Sequence, residues 1–329
     1  MTASTTADVA PILFLVFNRP DTTARVFEAI RVARPGQLFV AADGPRDGRE
    51  TDPERCEQAR AIATAVDWPC VVTTLFRERN LGCKRAVSSA IDWFFEQVPQ
   101  GLILEDDCVP DPTFFVYATE LLARYRDDPR VVMVSGDNFI SATWRPAASY
   151  YFSALTHIWG WGSWRRAWTH YDVEMADWVK QRDEGLLERV FPGAPGSQRY
   201  WTAIFDRVAR GEIDTWDYQW LYATFKRDGV SCMPAVNLIS NIGFGADATH
   251  THNAEAKLAN LPIAALPLPL IHPSDVAAER SADAWTAENV FGIGLTSPRS
   301  AKPAPSASRR GPFRRVLSRV KRTWRAAVR

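Results

Sequence analysis

Three consecutive carboxylates, Glu105, Asp106 and Asp107, directly follow an apolar run of the sequence. Side chains of like charge this close repel one another, so a cation is their natural partner. Carboxylate oxygens suit Mg2+ or Mn2+ better than they suit zinc. Such ions are often held by one or two carboxylates together with phosphate oxygens. The triplet therefore predicts a site for a metal ion and for a substrate that carries a diphosphate.

Asp217 is a candidate general base, because it lies between Trp216 and Tyr218 in the stretch T-W-D-Y-Q-W. Aromatic neighbours partly desolvate a carboxylate and raise its affinity for a proton. A sugar hydroxyl becomes a good nucleophile when such a base accepts its proton. The alternative is structural: Asp214 as the N-cap of a helix, with Asp217 at its third position, resembles an acidic variant of a capping arrangement. The residues alone leave both interpretations open.

Strand-like apolar runs alternate with amphipathic helical stretches in the first half of the chain, and these elements would position the polar residues. The pairs Asp52-Pro53 and Asp111-Pro112 indicate where two of the helices begin, with each aspartate as N-cap and each proline in the first turn. The repeat predicts an α/β fold with a Rossmann-like, mostly parallel sheet and helices on both faces. Strands are predicted at 11–17, 37–42, 70–76, 101–104 and 131–135, and helices at 20–33, 52–66, 81–97 and directly after Asp111-Pro112.

Polar residues follow four of these predicted strands, and in an open parallel sheet all carboxyl ends lie at one edge, where ligands bind. Each residue alone also has a structural interpretation, such as a turn former or a solvated loop charge. Their joint placement at one edge favours a binding site. The residues at the strand ends are Asn18-Arg19, Asp43-Gly44, Arg77 and Glu105-Asp106-Asp107.

Two nucleotide-binding motifs do not occur in this sequence. No G-x-x-x-x-G-K-[ST] is present, which excludes a P-loop NTPase, and no G-x-G-x-x-G follows the first strand, which disfavours a dinucleotide dehydrogenase. A nucleotide and a metal without a glycine loop around the phosphates favour a nucleotide-sugar transferase.

Composition limits the classes of protein to which this chain can belong. The chain has 329 residues, of which 46% are hydrophobic and 23% charged, as in a globular protein with a substantial core. It contains neither a long apolar span nor a signal-peptide pattern at its start, so we expect a cytoplasmic protein. The five cysteines are scattered and form no C-x-x-C pair, which predicts reduced thiols rather than a disulfide framework.

Six short motifs resemble those of the nucleotide-diphospho-sugar glycosyltransferases with the A-type fold, most closely those similar to N-acetylglucosaminyltransferase I and to family 2-like bacterial glycosyltransferases. The likeness covers roughly residues 11 to 250, and the E-D-D form of the acidic motif is what narrows it. The motifs are I-L-E-D-D-C-V-P-D-P-T-F-F (103–115), V-F-N-R-P (16–20), A-A-D-G (41–44), N-L-G-C-K-R (80–85), H-I-W-G-W-G-S-W (157–164) and T-W-D-Y-Q-W (215–220).

The resemblance implies an inverting displacement, with Mn2+ or Mg2+ as cofactor and a UDP-sugar as donor. Asp107 would meet the metal that bridges the diphosphate, and Asp217 would be the base. The donor-binding residues would be Asn18, Arg19 and Asp43 for the base and ribose, Glu105 and Asp106 for the sugar and ribose, and the cationic Arg77, Lys84 and Arg85.

Two further segments are candidates for an acceptor surface and a lid. The faces of Trp159 and Trp161, on either side of Gly160, could stack on sugars, although each tryptophan could equally belong to the core. The segment 243–253, with Gly245, Thr249 and His250, is predicted to be a mobile lid over the diphosphate. Its His-x-His spacing could also ligate zinc, which the lack of a nearby third ligand disfavours.

The end of the chain differs in composition from the rest. Proline interrupts 261–273, which predicts an extended arm, and a short helix is expected over Ser274–Val290. A linker follows at 297–310. From Arg309 to Arg329 there are nine basic residues and no acidic one, with apolar residues along one helical face. This tail predicts binding to an anionic membrane surface, while a disordered basic tail is the alternative; no nucleic-acid module supports a nucleic-acid partner.

We therefore predict a metal-dependent glycosyltransferase that acts on a glycan or lipid-linked glycan hydroxyl, at the inner face of the plasma membrane if the tail anchors it. The alternatives are a sugar-1-phosphate nucleotidyltransferase, which should carry a glycine-rich loop after the first strand, and a non-catalytic glycan- or membrane-binding protein. The expected divisions are a flexible N-terminus (1–10), a nucleotide-sugar-binding half (11–138), an acceptor half of the same domain (139–260), an arm with a short helix (261–296), and a linker with the basic tail (297–329).

Overall fold

The computed structural model describes residues 9–244 and 258–294, and the predictions for the lid and for the basic tail fall outside these ranges. Ten strands are present in them: β1 (Ile12–Val16), β2 (Gln37–Ala42), β3 (Val71–Phe76), β4 (Gln100–Glu105), β5 (Cys108–Pro110), β6 (Val131–Ser135), β7 (Tyr150–Ser153), β8 (Trp161–Trp164), β9 (Val230–Pro234) and β10 (Ile239–Asn241).

Ten helices complete the described part of the chain: α1 (Pro20–Ala33), α2 (Asp52–Ala63), α3 (Gly82–Gln97), α4 (Pro112–Arg124), α5 (Arg165–Trp168), α6 (Trp178–Asp183), α7 (Leu186–Val190), α8 (Pro195–Ala209), α9 (Asp217–Lys226) and α10 (Arg280–Asn289). The bounds of α1 agree with the sequence prediction, and α2 ends three residues earlier than predicted. The C-terminal helix starts at Arg280 rather than at Ser274.

Eight strands form one sheet in the order β3-β2-β1-β4-β8-β6-β9-β7. The pairs β1–β2, β2–β3, β1–β4 and β6–β9 are parallel, whereas β8 is antiparallel to both β4 and β6, and β7 is antiparallel to β9. The predicted mostly parallel sheet is therefore confirmed. A second, two-stranded sheet joins β10 to β5.

Helices cover both faces of the large sheet because the residues of β1 alternate between two apolar cores. Phe14 packs on one side with Phe27 of α1 and Phe114 of α4. Leu13 and Leu15 pack on the other side, in the core to which α3 and α9 contribute. A third core lies among α6, α7, α8 and α9. The predicted layering of helix, sheet and helix is confirmed.

The two Asp-Pro pairs behave differently. Asp111 is an N-cap residue, since its carboxylate accepts the Thr113 N–H at 2.9 Å and α4 begins at Pro112. Asp52 is not: it is the first residue of α2, its N-cap is Thr51, and no side chain caps the helix. The predicted capping role of Asp52 is wrong, because Arg46 and Asn18 engage its carboxylate instead.

The proline-rich segment after residue 260 runs along the surface without helix, as predicted. Ser149 holds it, because its N–H donates to the Ile271 carbonyl at 2.7 Å and its Oγ accepts the Ile271 N–H at 2.8 Å. No helix within the described residues is long and apolar enough to cross a membrane. The five cysteines are free thiols.

Candidate functional site

The carboxyl ends of β1 and β4 lie side by side, because these strands pair in parallel with Phe14 beside Leu104 and Leu15 beside Glu105. On its other side β1 pairs with β2, so the chain reverses its direction of winding between β1 and β4. Such a switch point opens a crevice at the carboxyl edge of a sheet, where ligands bind. Asn18 and Arg19 follow β1, Glu105 is the last residue of β4, and Asp106 and Asp107 follow it.

Arg19 bridges two of the three acids. Its guanidinium forms a close ion pair with the Asp106 carboxylate and a second one with Asp107, where Nη2 and Oδ2 are 2.9 Å apart. Asp106 also accepts the Phe17 N–H at 3.2 Å. The Cys108 thiol donates to the other Asp107 oxygen at 3.3 Å. The predicted neighbours Arg19, Asp106 and Asp107 therefore meet, with one cation for two carboxylates.

Glu105 adds a third carboxyl to this group. Burial, together with the charges of Asp107 and Asp106, raises the pKa of the Glu105 carboxyl to about 8. Burial also raises the pKa of Asp106 to about 6, against the opposing charge of Arg19. These raised pKa values show that full ionisation of the group is unfavourable with Arg19 as its partner, and a bound cation would stabilise the ionised forms.

Gly243 lies directly against the acidic group. The Ile242 N–H donates to the Asp107 carbonyl at 2.9 Å, which brings the chain after β10 over the triplet. A Cβ atom on Gly243 would lie 1.9 Å from Asp107 Oδ2 and 2.7 Å from Arg19 Nη1. Only glycine, which has no side chain, lets the backbone come this close to Asp107 and Arg19.

Asn18 and Asp43 occupy the edge on the β1–β2 side. The Asn18 amide donates to Asp52 at 2.8 Å, and the Asp43 carboxylate accepts the N–H groups of Leu81 at 3.0 Å and Gly44 at 2.9 Å. Burial raises the pKa of Asp43, while these backbone donors lower it. Asp43 thus ties the β2 end to the start of α3.

The three cationic residues assigned to the donor have partners of their own. Arg77 donates to Ser89 Oγ at 2.8 Å. Lys84 and Arg85, in the first turn of α3, both form ion pairs with Glu174; the Lys84 Nζ to Glu174 Oε2 distance is 3.2 Å. The side chain of Glu174 is 53% exposed, so a ligand can compete with it for both cations.

Asp217 is the first residue of α9, and the N-cap of this helix is Trp216. The alternative capping arrangement, with Asp214 as N-cap and Asp217 at the third position, is therefore not formed. The Asp217 carboxylate accepts a hydrogen bond from Thr215 Oγ1 and is partly exposed. Its charge contributes to the raised pKa of Glu105, so the two carboxyl groups are close enough to interact electrostatically.

The residues proposed for the acceptor surface differ in their exposure to solvent. Trp159 is partly exposed and contacts Phe139 and Phe244 edge to face, with ring centroids 5.3 and 5.7 Å apart. Gly160 has a φ of 68°, which favours glycine, and its carbonyl accepts the Gly136 N–H at 2.8 Å. Trp161 is 0% exposed, so its ring belongs to the core and the predicted acceptor contact is wrong for this residue. Gly245, Thr249 and His250 lie outside the described residues.

The donor set suits a hard divalent cation. Carboxylate oxygens with excess negative charge are the ligands that Mg2+ and Mn2+ prefer. In the part of the chain that the structure describes, no three His, Cys, Asp or Glu side chains surround one point as a complete metal cage. A divalent ion at this site would be held by one or two carboxylates and by the phosphates of a substrate. The acidic triplet fits such an ion.

Two residues near this edge were missed by the sequence analysis. Glu174 pairs with Lys84 and Arg85 from a loop remote in sequence, and nothing local in the sequence indicates the contact. Asp52 was interpreted as a cap, whereas it is the first residue of α2 and pairs with Arg46. The excess of arginines around it, at 46, 49 and 55, could have indicated an ion pair.

No protein-family model matches this sequence, and no curated protein matches it. Solved structures that resemble it include a cytidylyltransferase from Leptospira borgpetersenii, with 13% identity over 50% of this chain and 64% of its own and a TM-score of 0.31. A UDP-glucose pyrophosphorylase complexed with UDP-glucose has 8% identity over 45% of this chain and 63% of its own, with a TM-score of 0.25.

A third resembling structure is mouse xyloside xylosyltransferase 1 in its apo form, with 11% identity over 65% of this chain and 80% of its own and a TM-score of 0.32. The chain spans less than two thirds of the length of the cytidylyltransferase and of the pyrophosphorylase.

Proposed function

We propose that this protein is a metal-dependent, inverting glycosyltransferase that moves a sugar from a nucleoside-diphosphate donor, a UDP-sugar, to a hydroxyl of a glycan or lipid-linked glycan. The observation that carries the proposal is the crowding of three carboxyls, in which Arg19 pairs with Asp106 and Asp107 and the charge of Asp217 also acts on Glu105. A divalent cation would stabilise the ionised forms of these carboxyls. Such a cation commonly binds the phosphates of a substrate together with one or two carboxylates.

In this mechanism Asp217 accepts the proton of the acceptor hydroxyl as that oxygen attacks the anomeric carbon. Asp217 is a partly exposed residue, and its carboxylate is positioned by Thr215 and by the start of α9. Arg19, Lys84 and Arg85 supply positive charge for the departing diphosphate. Asp107 would hold a Mn2+ or Mg2+ ion, which when bound stabilises the charge on the leaving group.

The connection after β1 argues against the nucleotidyltransferase alternative. Only Phe17, Asn18 and Arg19 separate β1 from α1, and none of them is glycine. A glycine-rich loop around the nucleotide phosphates has no room there. A non-catalytic binding protein would need neither Asp217 nor the crowded acids, so donor turnover separates that alternative from a transferase.

The test is binding and turnover of UDP-sugars with and without Mn2+. We expect calorimetric titration to show donor binding that needs the metal, and slow release of UDP by hydrolysis when no acceptor is present. Asp107→Ala should remove the metal dependence and leave the fold intact, because Arg19 keeps its ion pair with Asp106 while one of three repelling carboxylates is gone. Asp127→Ala, an exposed acid after α4, is the control. Metal-dependent donor binding that survives in Asp107→Ala would refute the assignment of Asp107.

We also propose that the basic tail at 309–329 attaches the enzyme to anionic membranes, where a lipid-linked acceptor would be found. This rests on its composition alone, nine basic residues with apolar residues at helical spacing.

A further inference from the structure

Asp52 is a buried carboxylate at the edge of the candidate nucleotide site, and the mechanism above does not use it. Its residue is 2% exposed. Arg46 donates to it three times, from Nε at 2.6 Å, from Nη2 at 2.9 Å and from its backbone N–H at 3.2 Å. The fourth donor is the side-chain amide of Asn18, with Nδ2 at 2.8 Å from Asp52 Oδ1.

These contacts fix which way the Asn18 amide faces. The hydrogen bonds from Arg46 hold the pKa of the Asp52 carboxyl well below its usual range, so Asp52 is ionised and can only accept. Asn18 must therefore turn its NH2 group towards Asp52 and its Oδ1 away from it. The backbone of Asn18 is held as well, because its carbonyl accepts Arg55 Nε at 2.8 Å. Within the described residues no group donates to Asn18 Oδ1.

The position of Asn18 along the sheet edge suits the nucleoside end of a donor. Its neighbour Arg19 pairs with the two acids that would lie nearest the diphosphate. From there a nucleotide can extend along the edge in two directions. Towards β8 it would meet the buried ring of Trp161, whereas towards β1 and β2 it meets the hydrogen-bonding groups Asn18 and Asp43. The direction towards β1 and β2 therefore offers hydrogen-bonding partners for the polar edge of a base.

The chemistry of the free Oδ1 then discriminates between pyrimidines. Uracil and thymine carry a donor at N3, which an amide oxygen accepts. Cytosine has a lone pair at N3, which would face the lone pairs of Oδ1. If the amide were free to flip, its NH2 group could serve cytosine instead.

We propose that Asp52 is a positioning residue that sets nucleobase specificity: it locks the Asn18 amide so that the site accepts a base with an N3–H, uracil or thymine, and rejects cytosine. This inference rests on the proposed function, since it needs a nucleoside diphosphate at this edge. It adds the role of Asp52 and the physical origin of the preference.

The test compares dissociation constants for UDP, dTDP and CDP by calorimetry in the presence of Mn2+, with the full-length protein. We expect UDP or dTDP to bind about tenfold or more tightly than CDP, the size of discrimination that one matched base-edge contact provides. In Asp52→Asn the amide at 52 can both donate and accept, so Asn18 can flip and the ratio should fall towards one. Glu54→Gln is the matched control, because it removes the other acid from the first turn of α2 at an exposed position and should keep the ratio.

A second variant, Asn18→Ala, tests the same inference even if Asp52→Asn does not fold. Asn18→Ala leaves the Asp52–Arg46 pair intact and should lose the discrimination while metal-dependent binding of the diphosphate remains. A wild-type protein that binds UDP, dTDP and CDP equally well would overturn the inference and leave the proposed function standing, as would an unchanged ratio in folded Asp52→Asn or in Asn18→Ala. A protein that binds none of them with Mn2+ would refute both.

Discussion

Trp161 and Trp216 stack with their ring centroids 5.7 Å apart and 17° between their planes. Trp161 belongs to β8 in the centre of the sheet, and Trp216 immediately precedes Asp217. Trp168 and Trp220 also contact the Trp161 ring. The residue before the proposed base is therefore packed in a group of four tryptophans, which limits the movement of the Asp217 backbone. A fixed carboxylate is what proton transfer from a bound acceptor requires.

Replacement of Asp217 tests its role as the base. Asp217→Asn keeps the shape of the side chain but cannot accept the proton, so kcat should fall by about two to four orders of magnitude. The dissociation constant of the donor should change little. Steady-state kinetics with a UDP-sugar and calorimetry on the same preparation measure both quantities.

Asp214→Asn is the control for this variant, since it removes a carboxylate from the same connection three residues earlier. It should keep kcat within a few-fold of the wild type. If Asp217→Asn does the same, the base is another residue.

Alanine at Gly243 should damage the metal site without unfolding the protein. The new methyl group would lie 1.9 Å from Asp107 Oδ2, so the carboxylate or the backbone has to move. We expect a loss of about 1–3 kcal/mol of stability, as for other overpacked positions, and a clear weakening of Mn2+-dependent donor binding. Gly36→Ala is the control, because nothing lies within 4 Å of its Cβ position. Unchanged metal-dependent affinity in Gly243→Ala would mean that Asp107 does not need its present position.

Glu174→Gln should strengthen donor binding. The variant releases Lys84 and Arg85 from their carboxylate partner, so both cations are available to a diphosphate. Exposed ion pairs contribute about 0.2–1 kcal/mol each, which predicts a fall of the donor dissociation constant of roughly twofold to fivefold. Calorimetric titration with UDP at low and high salt measures the change, and the gain should shrink as salt rises.

Glu188→Gln, in α7, is the control for that variant and should leave the dissociation constant unchanged. Weaker binding in Glu174→Gln would instead show that Glu174 holds the two cations in their productive positions.

Asp283 should make the stability of the protein depend on pH. Burial raises the pKa of its carboxyl from the ordinary 3.8 to about 6, although Ser153 Oγ and the Ala154 N–H donate to it and Arg280 lies nearby. The folded state thus holds this proton more tightly than the unfolded state does. The contribution of the protonated carboxyl is complete below pH 3.8 and is lost as the pH rises through about 6.

Asp283→Asn mimics the protonated carboxyl and should remove this dependence. Between pH 4 and pH 7 the wild type should lose up to about 3 kcal/mol relative to the variant, measured by urea unfolding at each pH. Asp275→Asn, an exposed acid of the same arm, should follow the wild type. Parallel stability curves for the wild type and Asp283→Asn would show that Asp283 titrates normally.

The sequence predicted the strands and helices that have strong apolar periodicity, because β1, β2 and β4 are buried on both faces and α1 presents one apolar side. It also predicted that the ends of these strands would meet, which follows from the rule that parallel strands end at one edge. It did not predict β8, whose four residues W-G-S-W show no alternation and whose place in the sheet depends on tertiary pairing.

The contacts of individual side chains were less predictable. Asp52 and Asp111 precede proline in the same way, yet Asp52 binds Arg46 and Asp111 caps a helix. The difference depends on which of the arginines near Asp52 the loop before α2 brings to its carboxylate, and sequence spacing does not determine this. Trp159 and Trp161 lie two residues apart, and the short strand that includes Trp161 turns that ring into the core.

The position of β8 between β4 and β6 has a consequence for how the chain can be divided. Those two strands come from the first 138 residues, whereas β8 comes from the second half and pairs with both of them. A fragment that ends after β6 would leave two unpaired strand edges beside a gap lined with apolar side chains, and such edges promote aggregation. The two predicted halves of the domain should therefore not fold separately when the chain is cut at that point. We expect soluble protein when both fragments are co-expressed and not when the first is expressed alone.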